Sequence, residues 1–189
     1  TCVFGSRLAC SIMTPSWFPK WPMPILTKDV LEFISRSPEQ TCRLGARLGR
    51  YLHGGEVVAM EGDLGTGKTV FAQGVGMGWG ATTRLVSPTF VLVRRHKRHQ
   101  DDLALYHIDL YRLNSSAEID LLGLDEIIGA ADAVCLIEWP ERHPGLLPDE
   151  HLWVHMRMLD EYRRSLVFQA FGEVHQAILD DFRQELMGI

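Results

Sequence analysis

Residues Gly62-Asp63-Leu64-Gly65-Thr66-Gly67-Lys68-Thr69 fit the phosphate-loop pattern G-x-x-x-x-G-K-[ST] at every position. No other segment narrows the possible folds as much, because the pattern works in one setting, between a strand and a helix. Its glycines let the backbone curl so that successive N–H groups point inward at phosphate oxygens. Lys68 brings a positive charge to the outer phosphates, and Thr69 offers a hydroxyl to a magnesium ion that bridges two of them. The positive end of the following helix adds to the attraction. The flanks supply the required setting: Glu56-Val57-Val58-Ala59-Met60 reads as a short buried strand, and residues 67–79 read as a helix. The predicted phosphate cradle is therefore Asp63, Leu64, Gly65, Thr66, Gly67, Lys68, Thr69 and Val70.

The remaining periodicity describes an α/β chain rich in antiparallel hairpins. Residues 28–35 alternate as a strand. Ser37-Pro38-Glu39-Gln40 opens a helix, with Ser37 as cap, Pro38 in the first turn and Gln40 completing a capping box. Leu44, Leu48, Tyr51 and Leu52 form its apolar stripe, and Gly54-Gly55 is expected to end it. Residues 87–95 and 103–113 alternate around a polar stretch at 96–102, which predicts a β-hairpin. Ser115-Ser116-Ala117-Glu118 is a second capping-box signal, opening a helical stretch that breaks at Gly123. Residues 133–139 form a near-continuous apolar run, as in a strand buried on both faces. A second hairpin is expected around Asp160-Glu161-Tyr162, and an amphipathic helix over 174–187. A doubly wound sheet would hold more parallel β-α-β units. The expected architecture is a P-loop NTPase-like three-layer sandwich with a mixed parallel and antiparallel sheet.

A phosphate loop needs a carboxylate for its magnesium and a group that orients the attacking nucleophile. Glu138 ends the apolar run Ala133-Val134-Cys135-Leu136-Ile137 and is placed to hold magnesium, directly or through water, together with Thr69. Asp109 interrupts another apolar strand, and a buried carboxylate is costly unless paired. It is read as orienting water or helping to bind magnesium, against the plainer reading of an edge-strand acid paired with Arg112 or Lys97. Thr89, at the start of the first hairpin strand, either approaches the terminal phosphate or is simply turn chemistry followed by a strand residue with good β propensity. Asp109, Glu138 and Thr89 thus form the expected catalytic set. His107 is expected to be a core or surface histidine facing away from Asp109. The basic run Arg94-Arg95-His96-Lys97-Arg98-His99 is expected at a hairpin tip, where it either touches RNA phosphates or is simply solvated, with Asp101 and Asp102 offsetting it. Guanine specificity normally uses an N/T-K-x-D segment after the loop. Thr27-Lys28-Asp29 lacks that spacing and comes too early, so ATP is the expected nucleotide.

Bulk properties exclude other classes. The net charge of −5 argues against a surface that binds nucleic acid throughout. No apolar run approaches the roughly 20 residues that span a bilayer, so no membrane association is expected. The four cysteines form no C-x-x-C pair, which suits a reducing, cytoplasmic compartment. Residues 1–24 differ from the rest: four prolines, Trp17, Phe18 and Trp21, and no acid. They are expected to be a disordered extension, or to precede a true start at Met13 or Met23, with 25–189 as a single P-loop domain.

Taken in order, Glu61 through Thr69, Ser87-Pro88-Thr89-Phe90, His107-Ile108-Asp109-Leu110-Tyr111-Arg112-Leu113 and Ile137-Glu138-Trp139-Pro140 resemble the bacterial TsaE (YjeE) family, as does Thr41 with Leu44-Gly45. The resemblance covers roughly residues 28–172. It implies an ATPase, weak alone, that serves the synthesis of threonylcarbamoyladenosine at position 37 of tRNA together with a TsaD–TsaB heterodimer that performs the transfer. It also implies ATP/ADP and Mg2+ as ligands, Trp139 close to the nucleotide, and Arg163 or Arg164 within its reach. Thr66 stands where the family commonly has alanine. Two other readings of the loop stay open from the residues themselves: a small P-loop kinase, and a nucleotide-dependent binding switch.

Overall fold

The computed structural model describes residues 28–113 and 116–188. The extension at 1–24 and the expected cap Ser115 lie outside the described residues. Seven strands form one mixed sheet: β1 (Val30–Ser35), β2 (Val57–Glu61), β3 (Val93–Lys97), β4 (Ala104–Asp109), β5 (Ala133–Glu138), β6 (His151–Met158) and β7 (Arg164–Phe171). Their order is β1-β7-β6-β2-β5-β4-β3. The inner pairs β6–β2, β2–β5 and β5–β4 are parallel, and β1–β7, β7–β6 and β4–β3 are antiparallel. Two hairpins thus flank a parallel centre. Every residue of β5 is buried, as its apolar run requires for a strand covered on both faces.

Helices α1 (Pro38–Gly49), α2 (Lys68–Trp79) and α5 (Glu173–Met187) share one core with the sheet, through Leu44, Leu48, Phe71, Val75, Phe168 and Phe182. The opposite face carries α3 (Ser116–Leu122) and α4 (Leu124–Ile127), whose Ile119 and Leu124 pack on Val57, Ile108 and Ile137. Gly123, in the left-handed region at φ 60, separates these two helices where the break was expected. Three layers result, with the sheet in the middle.

The start of α1 follows its sequence closely. Ser37 Oγ accepts from the Gln40 N–H at 3.2 Å, while Gln40 Oε1 accepts from the Arg36 N–H at 2.7 Å. The box therefore closes one residue earlier than its standard form. The helix ends at Gly49 rather than at Gly54-Gly55. Arg50 donates back to the Arg47 carbonyl, and the chain turns so that Leu52 still enters the core outside the helix.

Where α1 crosses α2, the backbones touch. A Cβ added at Gly45 would stand 2.3 Å from the Phe71 carbonyl oxygen, and one at Gly74 would stand 2.0 Å from that of Cys42. Gly49 and Gly78 make the same approach one turn further along each helix. This spacing of four on both helices is what seats α2, which the phosphate loop enters, against α1.

The first hairpin is shorter than its alternation predicts. Pro88 has no N–H to give a ladder, and its carbonyl instead accepts from Val91 and Leu92. Residues 87–92 are therefore a turn, and β3 starts at Val93. The basic run consequently lies mostly within β3, not at the hairpin tip. Arg94, Arg95 and Lys97 are exposed on this edge strand, where charge is tolerated and discourages further pairing. Arg98 is buried: it pairs with Asp101 at 2.6 Å and lies over the Trp79 ring.

Candidate functional site

The parallel strands β2, β5 and β4 end side by side, and the candidate site lies at their carboxyl ends. Register aligns Met60 with Glu138 and Asp109 with Glu138. In open α/β sheets this edge is where ligands bind. Burial alone would raise the Glu61 carboxyl, but hydrogen bonds from His155 and Trp153 hold it below the usual carboxylate range. Glu61 Oε2 lies 2.7 Å from His155 Nδ1 and accepts from Trp153 Nε1 at 2.8 Å, which ties the last residue of β2 to β6.

From there the phosphate loop runs straight into α2. Gly67 precedes the helix at φ 102, a left-handed conformation that side chains resist. Thr66 is buried and donates to the Asp63 carbonyl at 2.8 Å, so its hydroxyl braces the loop from within. Leu64 points outward and is 84% exposed. Lys68 is buried; its Nζ donates to the carbonyls of Gly62 at 2.5 Å and Asp63 at 3.1 Å. Burial lowers the Lys68 pKa, while the charges of Glu138, Glu141, Asp109 and Asp63 oppose that shift.

Glu138 leaves the end of β5 facing Thr69. The Thr69 hydroxyl donates to Oε1 at 2.9 Å and lies 3.2 Å from Oε2. This bond joins the first turn of α2 to the neighbouring strand. Thr89 donates through Oγ1 to Asp109 Oδ2, and the Tyr111 N–H fills Oδ1 at 2.8 Å. Asp109 is thus buried on an interior strand with both oxygens satisfied. Trp139 follows Glu138 at φ 62, and its ring lies 3.7 Å from Lys68 Nζ. The expected residues Lys68, Thr69, Glu138 and Trp139 meet in one cluster. Asp109, at the end of β4 beside β5, pairs with Thr89 from the turn that precedes β3.

Arg164 bonds elsewhere. Its Nη1 donates to the carbonyls of Asp160, Glu161 and Arg163 in the β6–β7 turn. That turn borders the loop through Met158, whose Cε lies 3.8 Å from where a Cβ on Gly65 would stand. Arg163 is paired with Asp160 at 2.6 Å.

His107 corrects an expectation. It lies two residues from Asp109, so the two-residue period of a strand puts both on one face. The ring is fully buried, with Nε2 2.8 Å from Glu138 Oε1. Counting the alternation along β4 is enough to find it. Glu141 also enters the site's charge balance. Burial, with the charge of Glu61 adding to it, pushes its carboxyl up to about 7 against the opposing charges of Lys68 and Arg142.

The oxygens of Thr69 and Glu138 suit a hard cation such as magnesium. Among the described residues no group of three or more His, Cys, Asp or Glu forms a metal cage.

The sequence profile of the family "Threonylcarbamoyl adenosine biosynthesis protein TsaE" matches residues 35–166. The chain belongs to the TsaE family. A Bacillus subtilis TsaE, described as a tRNA threonylcarbamoyladenosine biosynthesis protein, is 32% identical over 151 residues, covering 80% of this chain and 92% of that one. TsaE of Mycobacterium tuberculosis is 42% identical over 141 residues, covering 71% and 83%. TsaE of Treponema pallidum is 37% identical over 133 residues, covering 70% and 96%. Among solved structures, the crystal structure of Bacillus subtilis YdiB superposes with a TM-score of 0.64 at 26% identity, covering 82% of this chain and 95% of that one. The mixed sheet and phosphate loop of this chain are thus a P-loop fold. No described helix is long and apolar enough to cross a membrane.

Proposed function

We propose that this chain is a magnesium-dependent ATPase of the machinery that makes threonylcarbamoyladenosine at position 37 of tRNA, acting with a TsaD–TsaB heterodimer and not as the transferase. The Thr69–Glu138 bond carries this reading, because it puts a hydroxyl and a carboxylate together beside a phosphate loop. Family membership and the names of the relatives point to the pathway.

The loop N–H groups from Asp63 to Val70 receive the phosphates of ATP, and Lys68 exchanges the carbonyls of Gly62 and Asp63 for phosphate oxygens. Bound magnesium supplies positive charge that offsets the charge developing on the phosphates. Asp109, held by Thr89, orients the attacking water. Glu138 and Thr69 hold the cation, and Trp139 shields the Lys68 side from solvent. Arg164 reaches the nucleotide if its turn closes on the loop. The exposed Arg94, Arg95 and Lys97 offer a surface to tRNA phosphates, and the setting is the cytoplasm.

The test is ATP hydrolysis by the purified chain, alone and with TsaD–TsaB, with and without tRNA. Low turnover that rises with the pair is expected, and Lys68→Ala should lower it by roughly 10²–10³-fold with the fold intact. Normal turnover in Lys68→Ala would sink the site assignment. Tight nucleotide binding with no response to the pair would turn the reading toward an independent kinase or switch.

A further inference from the structure

The buried face of β4 holds a group that the proposed mechanism leaves unused. His107 is 0% exposed, midway along the strand, and its Nε2 lies 2.8 Å from Glu138 Oε1. His107 pairs in register with Leu136, two residues before Glu138 on β5, so the ring leans along the sheet toward the carboxylate. On its far side Nδ1 has no hydrogen-bond partner among the described residues. That asymmetry indicates the tautomer. With the proton on Nε2, the ring donates to Oε1 and leaves Nδ1 as a bare acceptor, the less costly kind of atom to bury unpaired. The opposite tautomer would bury an unpaired N–H and set a lone pair against a carboxylate oxygen.

We propose that His107 is a positioning residue for Glu138, holding Oε1 so that the carboxylate keeps its orientation when Thr69 turns its oxygen toward the cation. In the structure Oε1 is shared between Thr69 and His107, whereas among the described residues Oε2 hydrogen-bonds with Thr69 alone. A carboxylate anchored by the phosphate loop alone would be free to rotate whenever that loop rearranges around a nucleotide. One anchored also from β4 is fixed to the sheet. Partners behind a metal-binding group typically change metal affinity or activity by about 10–100-fold when removed. This inference rests on the reading of Thr69 and Glu138 as the cation site.

The experiment uses the full chain and a fluorescent ATP analogue. Its affinity is measured in EDTA and then across a magnesium titration, for wild type, His107→Gln, His107→Asn and His107→Leu. Glutamine can place an N–H near the Nε2 position, asparagine places one near Nδ1, and leucine places none. The expected result is a magnesium midpoint raised about 10–100-fold in the Asn and Leu variants and near wild type in Gln, with EDTA affinities within about twofold of one another. A role in packing alone would shift the affinity in EDTA along with the magnesium midpoint. Folded Asn and Leu variants with the wild-type midpoint would overturn the proposal, as would a Gln variant that falls with them. If Leu fails to fold, the Gln–Asn comparison decides. If all three fail to fold, His107 belongs to the core and the proposal is wrong. A wild type whose binding ignores magnesium would instead remove the cation site itself, whatever the variants do.

Discussion

Gly74→Ala separates two opposed expectations. On helix propensity alone, alanine in the middle of α2 should stabilise the protein by up to about 1 kcal/mol. The packing predicts the reverse. The new methyl would stand 2.0 Å from the Cys42 carbonyl oxygen, 2.8 Å from its carbon and 3.0 Å from the Ala46 nitrogen. All three are backbone atoms that no rotamer change can move. Reaching ordinary contact near 3.4 Å requires α1 and α2 to part by more than 1 Å. A gap of that size forfeits a quarter to a half of the dispersion energy at each neighbouring contact, including those around Gly45, Gly49 and Gly78. Overpacking of this kind costs about 3 kcal/mol, which the propensity gain reduces to a net loss of about 2 kcal/mol. In urea denaturation the midpoint should fall by roughly 1 M with an unchanged slope. Because Lys68 and Thr69 begin the same helix, the ATP affinity proposed above should weaken as well. Gly76→Ala, whose three nearest neighbours are all atoms of the Leu85 side chain, should lose less. A Gly74→Ala protein more stable than wild type would refute the backbone-contact account of the crossing.

Two further perturbations test the electrostatics and the local signals. Glu141 has a folded-state pKa raised from 4.5 to about 7, so the folded protein binds the extra proton; its stabilising contribution is complete below about pH 4.5 and is lost as pH rises through 7. Glu141→Gln removes that loss, and its stability relative to wild type should grow by about 1–2 kcal/mol from pH 5 to pH 8 once partial exposure is allowed for; parallel stability curves across that range would rule out the buried carboxyl. Ser37→Ala deletes the cap oxygen that accepts from the Gln40 N–H and should cost about 1 kcal/mol in urea denaturation, with Ser37→Asp recovering most of it. A loss under about 0.3 kcal/mol would mean that Gln40 and the carbonyl of Ser37 hold the start of α1 without the hydroxyl.

Local signals carried much of the fold, because local physics sets them. Ser37 and Gln40 cap α1, Gly123 breaks the stretch between α3 and α4, and the apolar run ending at Glu138 is a strand buried throughout. The pairings Thr69–Glu138 and Thr89–Asp109 join residues singled out by chemistry, although no spacing predicts which carboxylate meets which hydroxyl. What was not legible depends on distant contacts. The sheet order depends on which strands pair, and β2 lies between β5 and β6, far along the chain. The basic run resembles a solvated tip because polarity is read before pairing, yet an edge strand tolerates the same residues. Pro88 argued against a strand beginning at Ser87, since it cannot join a ladder. The four-residue spacing of Gly45 with Gly49 and of Gly74 with Gly78 is visible in the chain, but only the crossing of α1 and α2 explains it.

The distribution of strain points to the same place as the chemistry. Among the described residues only two non-glycine residues adopt positive φ, Leu92 at 65 and Trp139 at 62. Such a conformation costs a bulky side chain about 1–2 kcal/mol, and it persists only where the surroundings enforce it. Both residues adjoin a buried carboxylate. The Leu92 carbonyl accepts from the Asp109 N–H at 2.9 Å, in the turn that brings Thr89 onto Asp109. Trp139 follows Glu138 directly, donates to the Met60 carbonyl at 3.2 Å, and carries its ring over Lys68. A glycine at 139 would relieve the strain, but it would remove the aromatic face from the loop's cation. An unstrained turn at 92 would follow a different path and move Thr89. Among the described residues the costly non-glycine backbone is thus confined to two turns, one that brings Thr89 onto Asp109 and one that carries Trp139 over Lys68, while α1, α2 and the parallel centre of the sheet supply the stability that offsets it.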